Sequence, residues 1–129
     1  MTDIPEISGP VERDSRDLLV RREVGEHAVV LRVAGEVDMA TAGQLAAQLC
    51  AAREAVTPPG PVIVDLDGVE FLGSAGLVAL VREFAHCDRY GVELRIVSSS
   101  RPVLRSISRT GLGELLPVAP TMHEALVGT

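Results

Sequence analysis

One stretch, residues 62 to 84, limits what this chain can fold into more than any other. Val62-Ile63-Val64-Asp65-Leu66 is an apolar, β-branched run of strand length, the pattern of a buried strand. An acidic turn follows at Asp65, Asp67 and Gly68. Leu77, Leu80, Val81 and Phe84 then recur at helical spacing and make one apolar face. Ser74 stands just before that face. It is expected as the N-cap, its hydroxyl accepting from a free backbone N–H of the first turn. A strand, a short loop and a helix of this kind place one hydroxyl at the positive end of a helix dipole.

The rest of the chain repeats the alternation. Leu18 to Val24 reads as a first strand, Gly25-Glu26 as a tight turn and Ala28 to Ala34 as a second strand, together an antiparallel hairpin ended by Gly35. Asp38 is a candidate N-cap for a helix from about Ala40 to Ala55, with Leu45, Leu49 and Ala52 on its core face and Ala42, Ala46 and Cys50 beside it. Thr57-Pro58-Pro59-Gly60 stops that helix. After the helix that ends near Tyr90, Gly91 serves as its C′ residue, and Val92 to Val97 reads as the fourth strand. Ser98 to Ser100 form a polar turn, and Pro102 fits the first turn of a third helix that buries Val103, Leu104 and Ile107 and ends at Gly111. Leu115 to Val118 is expected as a last strand, kept at the sheet edge by Pro117. Residues 120 to 127 form a final helix with Met122, Ala125 and Leu126 facing inward. The order β-β-α-β-α-β-α-β-α implies a hairpin feeding a mostly parallel sheet through right-handed crossovers, a single α/β domain over residues 18–128. Residues 1–17 are polar and acidic, carry Pro5, Gly9 and Pro10, and read as a flexible tail.

Composition narrows the function. The length of 129 residues suits one domain with one core. Two Phe, one Tyr and no Trp leave the core to Val, Leu, Ile and Ala and argue against aromatic stacking on nucleic acid. A net charge of −6 argues against a phosphate-backbone partner. No apolar run reaches the length of a membrane span and no signal-peptide pattern opens the chain, so a cytoplasmic protein is expected. Cys50 and Cys87 fall in different helices on no metal-like spacing, and reduced, packed thiols are the expectation.

Three phrases, in order, resemble one family. Phe71-Leu72-Gly73-Ser74-Ala75-Gly76-Leu77 resembles the phosphorylation loop of STAS domains, the anti-sigma factor antagonists, whose usual form is an apolar pair followed by Asp-Ser-[Ser/Thr/Ala]-Gly-Leu. Gly35-Glu36-Val37-Asp38 with Thr41-Ala42 resembles the family's Gly-x-[Leu/Val]-Asp ahead of its first helix. Ser108-Arg109-Thr110-Gly111-Leu112 is similar to the helix end before its last strand. The resemblance covers roughly residues 18 to 128. It implies an anti-sigma factor antagonist, not an enzyme, that binds an anti-sigma factor doubling as a serine kinase and so releases a sigma factor. It implies phosphorylation of Ser74 as the off-switch and a PP2C-type phosphatase as the reset. It places Asp38, Leu72, Gly73, Ser74, Ala75 and Gly76 at the partner-binding face. The alternative is a STAS subunit of another assembly, stressosome-like or lipid-transport. Two positions depart from the family form: Gly73 stands where an acidic residue is usual, and Ala75 leaves Ser74 as the only hydroxyl of the loop.

Other chemistry finds little support. Gly73-Ser74-Ala75-Gly76 lacks the G-x-S-x-G spacing of a nucleophile elbow, with Leu72 where the first glycine belongs, and only His86 and His123 follow the serine. No phosphate-loop motif, metal spacing or cofactor motif is present, and no catalytic residue is assigned. Arg101, Arg105 and Arg109 line one face of the third helix, which reads as a solvated stripe, the lesser alternative being a contact with an acidic partner surface. A phosphate on Ser74 would add a charge of about −1.5 to −2 at a helix N-terminus, where it is tolerated, while repelling a partner docked over the loop.

Overall fold

The computed structural model describes residues 18–127; the expected tail over residues 1–17 and residue 128 lie outside them. The hairpin is β1 (Leu18–Val24) and β2 (Val29–Val37). After it come α1 (Ala42–Ala55), β3 (Val62–Leu72), α2 (Ser74–Arg89), β4 (Leu94–Val97), α3 (Arg101–Arg109), a 3-10 turn at Leu112–Glu114, β5 (Val118–Ala119) and α4 (Met122–Val127). The strands form one sheet in the order β1-β2-β3-β4-β5. β1 pairs antiparallel with β2, from Leu18 opposite Gly35 to Val24 opposite Val29, and the remaining pairs are parallel. The single mostly parallel α/β sheet expected from the alternation is therefore the fold.

Adjacent residues of a strand face opposite sides of a sheet, and β3 uses both sides. Val62, Val64 and Leu66 pack in the main core with Leu45 and Leu49 of α1, Leu77 and Leu80 of α2, and Val103 and Ile107 of α3. Ile63 faces the other way and packs with Val97 and Ala125 of α4. Further across that second face, Arg32 on β2 joins Glu23 on β1 at 2.8 Å and Asp65 on β3 at 2.9 Å. These charges occupy a part of the sheet where side chains meet water, and opposite charges on neighbouring strands attract.

The strands next to the serine loop are longer than the sequence pattern suggests. Gly35 does not end β2, which runs on to Val37, and the acidic turn expected at Asp65, Asp67 and Gly68 lies within β3. Between Arg32 and Ala34 the partner positions advance from Asp65 to Gly68, and between Gly35 and Glu36 from Val69 to Phe71, one extra residue in β3 each time. These are bulges, which keep two strands paired while expelling a polar residue. Gly68 makes the first possible, because a Cβ there would lie 2.8 Å from the Cβ of Ala34. Burial of Val37 and Leu72 beyond the bulges holds the extended pairing.

The later elements are shorter than expected. β4 begins at Leu94, and the last strand is Val118–Ala119, because residues 112 to 114 wind into a 3-10 turn. Leu104 is exposed where a core position was expected, since Val103 and Ile107 alone meet the sheet. Leu126 is likewise exposed; a six-residue helix buries only Ala125. Ala46 of α1 is exposed as well, and Phe84 is half-buried against the core. At the end of α2, Gly91 takes φ +72°. There Val92 N–H donates to Cys87 O at 2.8 Å and Gly91 N–H to Asp88 O at 3.3 Å, the double bond of a Schellman cap.

Candidate functional site

β2 and β3 end side by side. Val37 is the register partner of Leu72, and the N–H of Gly73 donates to the carbonyl of Val37 at 2.8 Å. That bond ties the loop carrying Asp38 to the loop carrying Ser74, both at the carboxyl end of parallel strands. Open α/β sheets place their binding sites there, because the loops converge while the helix N-termini point outward.

Asp38 organises the turn into α1. Its Oδ1 accepts from Ala40 N at 2.9 Å and from Thr41 N at 3.1 Å. The Thr41 hydroxyl accepts from Asp38 N at 3.0 Å and donates to Glu36 O at 2.9 Å. Asp38 thus forms the bonds expected of an N-cap, but to a turn that precedes the helix; α1 itself begins at Ala42. Thr41 is buried beneath this reciprocal arrangement.

Ser74 is not the N-cap of α2. Gly73 holds that position, with extended backbone at φ −86° and ψ 178°, and its carbonyl accepts from Leu77 N at 3.1 Å. Ser74 is the first helical residue, is exposed, and makes no capping bond. At N1 a side chain points away from the free N–H groups of the first turn, which an N-cap side chain would reach. The hydroxyl is consequently free to meet another molecule, while the helix start is held by backbone alone.

The other loop residues divide by burial. A Cβ on Gly76 would lie 2.5 Å from Val37 Cγ1 and 2.8 Å from Leu72 Cδ1, so α2 presses its first turn against both strands. Leu72 is 2% exposed and Gly76 is buried. These two were expected at a partner-binding face, but Leu72 is packed in the core and Gly76 lies buried against Val37 and Leu72, so they support the loop from below. Gly73 and Ala75 are half-buried, as is Asp38, leaving Ser74 the most accessible of the six.

Three exposed apolar residues on the two loops and the helix start were not foreseen as site residues. Met39, next to Asp38, is 89% exposed; Phe71 is 51% exposed and Val78 is 48% exposed. The Phe71 ring lies against the loop, because a Cβ on Gly73 would meet its Cε2 at 3.0 Å. Val78 follows Ser74 by four positions and shares its face of α2. Glu36 and Glu70 are exposed nearby in chain order, and neither joins a salt bridge among the described residues. Sequence offered two signals: Phe71 alternates with buried Leu72, and Val78 falls off the Leu77, Leu80, Val81, Phe84 face.

His86 follows Ser74 by twelve positions along one helix, roughly 18 Å of helical rise, too far to take its proton. No cluster of three metal-binding side chains occurs among the described residues, and no helix there is long and apolar enough to cross a membrane.

Known proteins resemble this chain over most of its length. The profile of the STAS domain matches residues 20–125. The anti-sigma-F factor antagonist RsfA of Mycobacterium tuberculosis is 38% identical over 104 residues, covering 81% of this chain and 81% of that protein. The anti-sigma-F factor antagonist RsfB of the same organism is 34% identical over 109 residues, covering 81% of this chain and 85% of that protein. Among solved structures, an anti-sigma factor antagonist from Mycobacterium paratuberculosis superimposes with a TM-score of 0.78 at 32% identity, covering 88% of this chain and 95% of that one.

Proposed function

This chain belongs to the STAS domain family, and from that premise we propose that it is an anti-sigma factor antagonist whose docking surface is the Ser74 pole. It binds an anti-sigma factor, displaces the sigma factor held there, and so permits transcription. Relatives named for this role support the reading over most of their length. Within the molecule, one observation carries it furthest: an exposed serine hydroxyl without a capping bond, at the start of a helix braced from beneath by Gly76 and Leu72.

The switch belongs to the same proposal. The anti-sigma factor acts as a serine kinase on Ser74, and a PP2C-type phosphatase restores the hydroxyl. Phosphate at N1 sits near the positive end of the α2 dipole, which favours a negative charge, so the fold survives modification. The docked partner does not, because a charge of about −1.5 to −2 must then be buried or faced across the interface.

The test is transcription in vitro. A sigma factor silenced by its anti-sigma factor should regain activity when the unmodified chain is added in stoichiometric amount. Activity that stays silent with every anti-sigma factor of the source cell would contradict the proposal.

A further inference from the structure

We infer that the Phe71 ring, seated over the backbone of Gly73, is the element that selects the partner at this pole, and that it enters an apolar socket bordered by basic side chains. The inference rests on the antagonist reading and specifies the chemistry of the surface recognised.

Three observations lead to it. Phe71 is one of two phenylalanines in the chain, and it is 51% exposed at the end of β3, where Phe84 is packed against the core. A large aromatic left in water beside an exposed serine is a poor use of a residue this chain otherwise hardly employs. Aromatic side chains at the centre of an interface supply large contact area at low entropic cost, and such residues dominate binding energies.

The ring's position depends on Gly73. Any side chain at 73 would begin 3.0 Å from Cε2 and 3.3 Å from Cζ of Phe71, tighter than most carbon contacts, so the ring would have to give way by a few tenths of an ångström. Glycine therefore fixes two properties together: the ring lies against the serine loop, and no carboxylate stands between the ring and Ser74. Met39, next to Asp38, and Val78, one turn along α2 from Ser74, are also exposed, at 89% and 48%.

Charge sets the border of the socket. Glu36 precedes the strand end at Val37, Glu70 precedes Phe71, and both are exposed without an ion-pair partner among the described residues. Asp38 is half-buried on the neighbouring loop. A partner that meets this rim gains from Lys or Arg around its pocket, which speeds association and excludes acidic competitors.

The experiment uses the full chain and the anti-sigma factor that it relieves in the transcription assay. Affinities are measured for wild type, Phe71→Ala, Gly73→Ala, the double variant and Val24→Ala, an exposed apolar control at the far end of the hairpin. Phe71→Ala should weaken binding at least tenfold, and Val24→Ala should change it less than twofold. Gly73→Ala should also weaken binding, yet add little once Phe71 is gone, since both act through one ring. Glu70→Lys should slow association and flatten its dependence on salt. Melting curves confirm that each variant is folded; if Phe71→Ala is not, Phe71→Leu serves, with a smaller loss expected. Wild-type affinity in folded Phe71→Ala or Phe71→Leu overturns the inference and leaves the antagonist reading standing. Additive losses in the double variant overturn the coupling through Gly73, and unchanged association by Glu70→Lys overturns the basic border. A wild-type chain that binds no anti-sigma factor removes both the reading and this inference.

Discussion

A methyl group placed on Gly76 would lie 2.5 Å from Cγ1 of Val37, well inside contact distance. Val37 is fully buried and ends the strand that leads to Asp38, while Gly76 sits in the first turn of the helix that carries Ser74. The two halves of the site are therefore held together by the absence of a side chain. Gly76→Ala should push α2 off the sheet and cost about 1–3 kcal/mol, the usual range for overpacking. Urea denaturation measures it. A variant as stable as wild type would show that the helix start can shift without strain.

Ser74→Ala should be nearly silent in the same assay, within about 0.5 kcal/mol of wild type, because Gly73 rather than Ser74 caps the helix. A lost side-chain cap would instead cost about 1 kcal/mol. The same pair of curves thus separates a serine held by the structure from one offered to a partner.

Sequence and structure agree on the alternation of elements and part company at their ends, for identifiable reasons. The apolar runs at Val62 to Leu66 and at Leu77, Leu80 and Leu45, Leu49 identify the core because burial on one face needs that spacing. The bulges in β3 were not legible. Asp67 and Gly68 look like a turn locally, and only the pairing with Ala34 keeps them in a strand. The capping of α2 was misread by one residue for a related reason. Serine is the better cap by preference, but the N–H of Gly73 is already committed to Val37 O, which places the extended residue at 73. Exposed Met39 was hidden because an apolar residue in a loop carries no mark of facing water, whereas Phe71 was marked only by its alternation with buried Leu72.

Between the helices, Arg53 Nε donates to Glu83 Oε2 at 2.6 Å, with the side chains 14% and 5% exposed. The same carboxylate accepts from the Cys87 thiol at 3.4 Å, and the Arg53 guanidinium lies 5.3 Å from the centre of the Tyr90 ring. Glu83→Ala would leave a cation nearly buried without its partner and should cost about 3–5 kcal/mol. Replacing both Arg53 and Glu83 with leucine should cost far less than the single change, since neither charge is then stranded. A thermal melt of the three proteins decides it, and equal losses in the single and double variants would contradict the account.

Burial and the neighbouring Glu83 carboxylate push the Cys87 thiol up to about 12, from an ordinary value of 9.0. A group whose folded pKa is raised contributes stability that is complete below its unfolded pKa and is lost as pH rises toward the folded value. Wild type should therefore lose stability between about pH 9 and 12 more steeply than Cys87→Ser, which cannot ionise there. At pH 8, Cys50, which is half-buried, should react with a thiol reagent in the folded protein, and Cys87 only after unfolding. Simultaneous labelling of both thiols in the native protein would contradict this.

In the proposed switch, Ser74 reports its chemical state to an anti-sigma factor through docking and not through folding. Isothermal titration of one anti-sigma factor with two forms of the chain tests it: unmodified, and phosphorylated at Ser74 as verified by intact mass and by the loss of incorporation in Ser74→Ala. The two forms should melt within a few degrees of each other, and phosphorylation should weaken binding by a factor of ~100 or more, the scale of like-charge or desolvation penalties at an interface. Equal affinity for both forms, or phosphate that persists on Ser74→Ala, would contradict it.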